Sequence, residues 1–156
     1  MRIERCFWLY LLECDNGAFY TGYTKNLAIR YHQHKSGKQS AKYTRIYKPI
    51  KIAQCWRLFD TIGTALRVER FIKKQDHKTK LQWIKNPEEL KLRVSKNMER
   101  ELILISFDAS KVEEESNKMD WRKIKNGFDP FEEIPISSLS SRYIASSILS
   151  QGCIPP

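Results

Sequence analysis

The sequence predicts an α+β fold in which a small three-stranded antiparallel sheet is flanked by helices. Three local signals support it: an Asn16-Gly17 step between two apolar runs, a helical segment that ends at Gly37, and an extended segment that begins at Pro49. Asn-Gly steps favour tight hairpins, and glycine commonly follows the last residue of a helix. With 156 residues and 41% hydrophobic content, the chain can bury one modest core and carry an appendage.

The first two strands form the arms of a predicted hairpin. The arms cover residues 7–13 and 18–23, and Cys14-Asp15-Asn16-Gly17 joins them. We expect a type I′ turn, because that turn requires positive φ angles at its central residues. Tyr10 and Tyr20 then stand on opposite arms of the hairpin.

Residues 26–36 are predicted to form a helix that Gly37 ends. Four of its side chains recur at helical spacing and should face the sheet: Leu27, Arg30, Tyr31 and His34. This face therefore carries a permanent cation and a titratable imidazole at positions where a helix that packs on a sheet usually carries apolar residues. His32 points to another side of the helix, so we interpret it as structural.

A third strand over residues 49–59 and several helices follow. The strand is expected to turn one set of apolar side chains to a common face: Ile50, Ile52, Trp56 and Leu58. The helix from Gly63 to Gln75 has Glu69 in the middle of its inward stripe, which consists of Ile62, Ala65, Leu66 and Ile72. A buried carboxylate is costly unless a metal or a cation meets it. Shorter helices are expected over residues 78–85 and from Asn86-Pro87, with Asn86 as the N-cap.

Beyond Arg100 the local signals are weaker. Residues 101–107 could add one more strand, and the acidic run at residues 113–115 is typical of a solvated face. The stretch from Ser137 to Ser150 contains seven serines, which is typical of a segment that stays flexible or folds on a partner. We therefore predict a domain over residues 1–100 and an acidic, then Ser-rich extension over residues 101–156. The extension would be disordered or would bind a protein partner.

Charge is distributed unevenly along the chain. It has 28 Lys and Arg against 18 Asp and Glu, and residues 1–100 hold 22 basic and 9 acidic side chains, a net charge of +13. Residues 101–156 hold 6 and 9, a net charge of −3. This pattern predicts a nucleic acid as the partner, with an affinity for duplex that falls steeply as salt is raised. The alternative is a basic surface that serves solubility. Tyrosines interleaved with the cations, at positions 31, 43 and 47, suit stacking on splayed bases.

The spacing of the polar residues resembles that of the GIY-YIG endonuclease superfamily. The resemblance rests on Trp8-Leu9-Tyr10, Tyr20-Thr21-Gly22, Arg30 ten residues after Tyr20, His34 four residues later, and Glu69. It covers residues 5–88 and is strongest to a small stand-alone bacterial branch, which is similar to the nuclease module of Slx-type enzymes. Trp8 and Thr21 depart from the family pattern, at positions that supply no catalytic group.

The resemblance implies a role for each of these residues. Glu69 would hold Mg²⁺ or Mn²⁺, and Arg30 would clamp the scissile phosphate. Tyr10 and Tyr20 would line the attacking side, and one of them, with His34, would take the proton from water; which tyrosine does so stays open. Substrate contacts are expected from four residues that are also suited to ordering a loop or forming a solvated face: Lys42, Tyr43, Arg45 and Lys73.

We therefore predict a metal-dependent DNA endonuclease that selects branched or single-stranded structures in repair or recombination. The alternative is a nucleic-acid-binding module that keeps the fold and does not cut. No small-molecule cofactor is expected. The apolar run at residues 6–12 is too short to span a bilayer. The four cysteines show neither the spacing of zinc ligands nor a disulfide framework. We therefore predict a compartment that keeps thiols reduced, the cytoplasm.

Overall fold

The computed structural model describes residues 5–122. In chain order its elements are β1 (Arg5–Cys14), β2 (Phe19–Thr24), α1 (Leu27–Ser36), α2 (Lys42–Ile46), β3 (Pro49–Asp60), α3 (Ile62–Lys73), α4 (His77–Lys85), α5 (Glu88–Met98), β4 (Leu104–Phe107) and α6 (Ala109–Lys118). No helix in this part of the chain is long and apolar enough to cross a membrane.

The α+β class is confirmed, but the sheet has four strands rather than the three predicted. The strand order is β2-β1-β3-β4, and all neighbours are antiparallel. The fourth strand pairs with β3 from Cys55 opposite Phe107 to Leu58 opposite Leu104. With only four residues, β4 is too short to show a clear alternation in the sequence, and its pairing partner is distant along the chain.

The predicted hairpin is present, but its turn differs from the expected type. Gly17 has a φ angle of 82°, whereas Asn16 is not among the residues with positive φ. The Gly17 amide donates to the Cys14 carbonyl and the Cys14 amide to the Ala18 carbonyl, both at 2.9 Å. A type I′ turn would need positive φ at both central residues. The observed bonding matches the longer loop that ends in a left-handed glycine.

The central strand β1 is buried on both faces of the sheet. Phe7, Leu9 and Leu11 pack on one side in the cluster that includes α3, α4 and α5. Trp8, Tyr10 and Leu12 pack on the other side, with residues of α1 and α6. The sheet therefore separates two apolar layers, and Tyr10 belongs to the same layer as helix α1.

An irregularity in β3 changes which of its side chains share a face. Leu11 pairs with Gln54 and Leu12 with Ile52, so one extra residue, Ala53, is inserted in β3. As a result Ile52 lies in the layer of α1, whereas Trp56 lies in the opposite layer. The prediction that Ile50, Ile52, Trp56 and Leu58 share a face was therefore wrong, because the insertion reverses the alternation.

Capping side chains define the ends of the helices. Asn26 accepts from the Ile29 amide at the start of α1, and Gly37 ends it with a φ angle of 77°, as predicted. Thr61 caps α3, whose buried residues are Thr64, Ala65, Val68, Glu69 and Ile72, while Ile62 is exposed rather than inward. Asn86 ends α4 and Pro87 occupies the N-cap position of α5, so the predicted capping role of Asn86 was wrong.

The extension predicted to be poorly structured begins with an ordered strand and helix. Helix α6 buries Val112 and Ser116, and the Ser116 hydroxyl donates to the Ala28 carbonyl of α1 at 2.9 Å. Glu113 accepts a hydrogen bond from the Ile52 amide, so this member of the acidic run is not simply solvated. The Ser-rich stretch at residues 137–150 lies outside the described residues.

Candidate active site

The centre of the site is a hydrogen bond between Tyr10 and His34. Strand β1 directs Tyr10 toward α1, and the third turn of α1 directs His34 back toward the sheet. Both residues are buried, with relative exposures of 1% and 0%. The Tyr10 hydroxyl lies 2.9 Å from Nε2 of His34. The helical spacing predicted that His34 faces the sheet, and the structure confirms it.

Thr44 decides which nitrogen of His34 carries the proton. Its hydroxyl donates to the Ala41 carbonyl at 3.1 Å, and its oxygen lies 2.8 Å from Nδ1 of His34. Because the Thr44 hydroxyl donates to the Ala41 carbonyl, we assign the Nδ1–H tautomer to His34, in which the Thr44 oxygen accepts from Nδ1–H. Nε2 is then unprotonated and accepts from the Tyr10 hydroxyl. A chain of donors therefore runs from Tyr10 through His34 and Thr44 to the Ala41 backbone.

The environment keeps both titratable groups neutral near pH 7. Burial, and after it the positive charge of Arg30, together lower the pKa of His34 to about 4. Burial also raises the pKa of Tyr10, with Tyr20 and Glu69 adding to the rise and Arg30 opposing it. His34 is thus a free base that holds its lone pair toward a protonated phenol.

The close approach of the Tyr10 side chain explains why position 22, at the end of Tyr20-Thr21-Gly22, is a glycine. Gly22 pairs directly with Tyr10 across β1 and β2. A Cβ atom built on Gly22 would lie 2.4 Å from the Tyr10 hydroxyl oxygen and 2.6 Å from Cζ of the ring. The Tyr10 side chain therefore passes over a backbone position where any larger residue would collide with it.

Tyr20 lies beside this pair and is partly open to solvent. Its ring centroid is 5.2 Å from that of His34, in an edge-on arrangement, and 6.5 Å from that of Tyr10. Tyr20 is only half-buried, unlike Tyr10. It therefore forms the side of the cluster that a substrate or a water molecule can approach.

The Arg30 side chain is held at the edge of the same cluster. Its Nη1 donates to Oε1 of Gln33 at 3.0 Å and to the Gln39 carbonyl at 2.6 Å. The Arg30 guanidinium also lies close enough to the Tyr10 side chain for its positive charge to oppose the rise in the pKa of Tyr10 that burial causes. The two acceptors orient the guanidinium and leave its other N–H groups for further partners.

Glu69 is the carboxylate that the sequence placed on an inward stripe, and it is buried with 8% exposure. Its Oε1 lies 2.6 Å from the ammonium nitrogen of Lys73, one turn along α3. The cost of burying this carboxylate is therefore offset by a cation. Among residues 5–122, no group of three or more His, Cys, Asp or Glu side chains converges on a common point.

The structure brings Tyr10, Tyr20, Arg30 and His34 together, but places Glu69 differently. Helix α3 packs on the face of the sheet opposite to α1, and the Glu69 carboxylate forms an ion pair with Lys73. Glu69 still lies within electrostatic reach of Tyr10, because its charge is among the causes, after burial and Tyr20, that raise the pKa of Tyr10.

The expected substrate contacts lie on the short helix α2 and at the end of α3. Lys42, Tyr43 and Arg45 are exposed, and Tyr43 accepts a hydrogen bond from Nδ2 of Asn16 at 2.9 Å. Lys73 is half-exposed and is occupied by Glu69. Helix α2 has five residues, too few for a periodic signal, and the sequence did not predict it.

Sequence reasoning missed the residues that orient Arg30 and His34. Gln33 and Gln39 hold the guanidinium, and Gln39 adopts a left-handed backbone with a φ angle of 57°. Thr44 holds His34 through Nδ1 of the imidazole. Glutamine and threonine are common on surfaces, so nothing in their spacing marked them as supports of the site.

Comparison with known proteins connects this geometry to a family. The GIY-YIG catalytic domain matches residues 6–82. The UPF0213 protein of Syntrophus aciditrophicus (strain SB) is 40% identical over 84 residues, which are 53% of this chain and 95% of that protein. The UPF0213 protein encoded in the ldhD 5′ region of Pediococcus acidilactici is 42% identical over 85 residues, 53% of this chain and 85% of that protein.

A UPF0213 protein of Bacillus halodurans, solved by solution NMR, is 36% identical with a TM-score of 0.34, over 51% of this chain and 83% of that one. The domain match contains Tyr10, Tyr20, Arg30, His34 and Glu69. Because the domain match spans the candidate site, and because the proteins of Syntrophus aciditrophicus and Pediococcus acidilactici are covered over most of their length, the chain belongs to the GIY-YIG family, among the UPF0213 proteins.

Proposed function

We propose that the protein is a divalent-metal-dependent endonuclease that hydrolyses DNA phosphodiester bonds. The observation that carries the proposal is the buried chain from Tyr10 through His34 to Thr44, with Arg30 and Tyr20 at its open side. A strand tyrosine and a helix histidine could serve packing alone. If packing were their only role, apolar residues would fill the same space without polar groups that need hydrogen-bond partners, so the buried polar chain favours a chemical role.

The chain of hydrogen bonds supplies a route for a proton. When water attacks phosphorus, its proton can pass to the Tyr10 oxygen while the Tyr10 proton moves to Nε2 of His34. The phosphorus–oxygen bond to the leaving sugar then breaks, and the released sugar oxygen takes a proton from a second water molecule. His34 would become an imidazolium in a buried position beside Arg30, and the negative charge of the bound phosphate would offset that cost. Burial raises the pKa of Tyr10, which disfavours Tyr10 as a base unless His34 takes its proton.

Arg30 is the phosphate ligand in this proposal. Its planar fork suits two oxygens of one phosphate, and it would stabilise the charge that builds during attack. Gln33 and Gln39 fix the guanidinium before the substrate arrives, so Arg30 loses little orientational entropy when the substrate binds. Lysine cannot reproduce this geometry.

Glu69 fits a metal ion that takes most of its ligands from water and substrate. A single carboxylate is a usual protein contribution to a Mg²⁺ site of that kind, and the ammonium group of Lys73 shows that the Glu69 carboxylate accepts a cation. A divalent ion bound there would polarise the phosphate oxygens. We propose Mg²⁺ or Mn²⁺ and no small-molecule cofactor.

We propose selection by DNA structure, in repair or recombination, rather than by base sequence. Beyond the family match, the described chain adds α5, β4 and α6, and these pack on the same sheet. They do not form a separate module for reading base edges within residues 5–122. Phosphate contacts orient a protein on DNA without reading its sequence. The shape and deformability of the DNA then decide which DNA structures are bound. Cys14 and Cys55 are buried free thiols, which suits a reducing compartment such as the cytoplasm.

The rival function is a binding module that keeps the fold without cutting. A gel assay with labelled single-stranded, duplex, flap and four-way-junction DNA at low salt separates the two. We expect Mg²⁺-dependent cleavage that disappears in Glu69→Gln, while DNA binding by that variant persists. Lys74→Gln, at the C-cap of the same helix, serves as the matched control and should cut like the wild type. Binding without cleavage by the wild type, in Mg²⁺ and in Mn²⁺, would favour the binding module.

A docking role for the C-terminal extension is a separate proposal with its own test. Truncation at Arg100 would remove β4 and α6, which pack on β3 and α1, and would therefore damage the fold. Truncation after Arg122 keeps every described element. If the extension binds a partner that directs the nuclease, the truncated protein should retain cleavage and lose the partner. Retained partner binding would contradict the docking role.

A further inference from the structure

A row of three tyrosine rings leads from the buried site to the protein surface. The ring centroids of Tyr20 and Tyr43 are 6.0 Å apart with an interplanar angle of 22°. Those of Tyr43 and Tyr47 are 5.0 Å apart with an angle of 46°. We call Tyr20, Tyr43 and Tyr47 the tyrosine row. The row begins beside His34 and ends on the outer surface of helix α2 and the residue that follows it.

The outer two rings of the row are exposed to solvent. Tyr43 is 36% exposed and Tyr47 is 38% exposed, while Tyr31, which the sequence grouped with them, is buried at 2%. Asn16 in the hairpin turn donates to the Tyr43 hydroxyl at 2.9 Å and restrains its ring from a distant part of the chain. A large aromatic ring held in place yet open to solvent is typical of a binding surface.

Positive charge surrounds these rings. Lys42, Arg45 and Lys48 are exposed on the same short stretch as Tyr43 and Tyr47. The Lys48 ammonium also lies near Gly37, at the end of α1. Rings flanked by cations suit a ligand that presents flat faces along an anionic backbone, which is the chemistry of a nucleic-acid strand.

We infer that the tyrosine row stacks against unpaired bases next to the scissile phosphate. The inference rests on the proposed nuclease function and names its substrate class as single-stranded DNA, or a single-stranded segment of branched DNA. In a duplex the base faces are covered by their neighbours, so the rings reach them only where the bases are unpaired. A phosphate at Arg30 and Tyr20 places the next nucleotide beside Tyr43, because Tyr20 and Tyr43 are adjacent in the row.

The test measures binding, so that it does not depend on cleavage. The full-length Glu69→Gln protein is titrated into a fluorescein-labelled oligo(dT) strand and into a duplex of equal length. We expect Tyr43→Ala and Tyr47→Ala each to weaken single-strand binding by about five- to a hundredfold and to change duplex binding by less than about twofold. Tyr43→Phe and Tyr47→Phe keep a ring and should bind the single strand within about threefold of the parent.

A second readout reports stacking directly. A 2-aminopurine placed in a single strand should lose fluorescence on binding to the parent and to the phenylalanine variants, and should retain it with Tyr43→Ala. Lys42→Gln should weaken single-strand and duplex binding to a similar degree, because a phosphate contact does not sense pairing. Thermal unfolding of each variant checks that the fold is intact, as expected for substitutions of exposed side chains.

The outcomes separate this inference from the proposed function. Equal losses on both DNAs, or unchanged single-strand binding in Tyr43→Ala and Tyr47→Ala, would overturn the stacking role even if the wild type cuts DNA. The second of these results would leave the exposed rings as a surface for a protein partner. Selective loss of single-strand binding supports the inference even if no DNA is cut, in which case only the nuclease proposal fails.

Discussion

The ammonium nitrogen of Lys73 lies 2.6 Å from Oε1 of Glu69, so the candidate metal ligand is already paired with a cation. The two residues are one helical turn apart on α3, and the Glu69 side chain is the more buried of the pair. A metal ion that binds this oxygen must displace the lysine or share the carboxylate with it. Lys73 is then released one turn from the metal, where it can contact a phosphate.

The first prediction follows from this competition. Lys73→Met keeps the length of the side chain and removes its charge, so Mn²⁺ should bind the DNA-free protein more tightly. Partly exposed ion pairs contribute about 0.2–1 kcal/mol, which corresponds to an increase of up to about fivefold. Electron paramagnetic resonance of free Mn²⁺ measures the affinity, and Lys74→Met is the control. Weaker or unchanged binding in Lys73→Met would show that the lysine does not compete with the metal.

The second prediction concerns the close approach of Tyr10 to Gly22. Gly22→Ala adds a Cβ atom within 2.4 Å of the Tyr10 oxygen, and the buried ring has little room to move. We expect the free energy of unfolding to fall by about 1–3 kcal/mol, with a larger loss of cleavage than of DNA binding.

Gly63→Ala is the matched control for this variant. The new Cβ atom on α3 would meet only Thr61 Oγ1 at 3.8 Å, and alanine favours the helix by about 0.5–1 kcal/mol. Urea unfolding followed by circular dichroism compares the two. Equal stability of Gly22→Ala and the wild type would show that Tyr10 can move aside at little cost.

The third prediction tests the support of His34 by Thr44. Thr44→Val removes the acceptor of the Nδ1 proton and leaves a buried donor without a partner, so stability should fall by about 1–3 kcal/mol. In ¹⁵N-detected NMR of the imidazole, the wild type should show the Nδ1–H tautomer, and Thr44→Val should show a mixture. Thr44→Ser keeps the hydroxyl and should preserve the wild-type tautomer. The Nε2–H tautomer in the wild type would contradict the hydrogen-bond chain.

The fourth prediction is a dependence of stability on pH. The pKa of His34 falls from 6.5 to about 4 on folding, so between these values the unfolded chain binds a proton that the native protein does not. The free energy of unfolding should therefore rise from pH 4 to pH 6.5 and level off above it, with His34 contributing roughly 1–3 kcal/mol. The contribution is present above pH 6.5 and is lost as pH falls toward 4.

Urea titrations at several pH values measure this slope, and substitution of each histidine assigns it. His34→Gln should flatten the slope whatever its absolute stability. His32 also has a lowered pKa, caused first by burial and then by Lys35 and Lys38, but it is only partly buried. We therefore expect a smaller effect from His32→Gln. A slope in His34→Gln as steep as in the wild type would show that another group titrates.

Much of the fold was predictable because its signals are local. Asn16-Gly17 predicted the hairpin and Gly37 the end of α1, since both depend on the backbone angles that single residues tolerate. The predicted type I′ turn was wrong, because the register between the strands decides the turn type. The fourth strand was not counted, because β4 is short and gains its hydrogen bonds only from β3.

The sequence by itself determined that Tyr10 and Tyr20 lie on paired strands, that Arg30 and His34 share a helix face, and that Glu69 is turned inward. The tertiary structure decided that Thr44 orients His34, that Lys73 pairs with Glu69, and that Tyr43 stacks on Tyr20. The first set follows from helical and strand periodicity, which the order of residues encodes. Most of the second set depends on side chains that meet across separate elements, and strand register and helix packing place those elements only once the chain has folded.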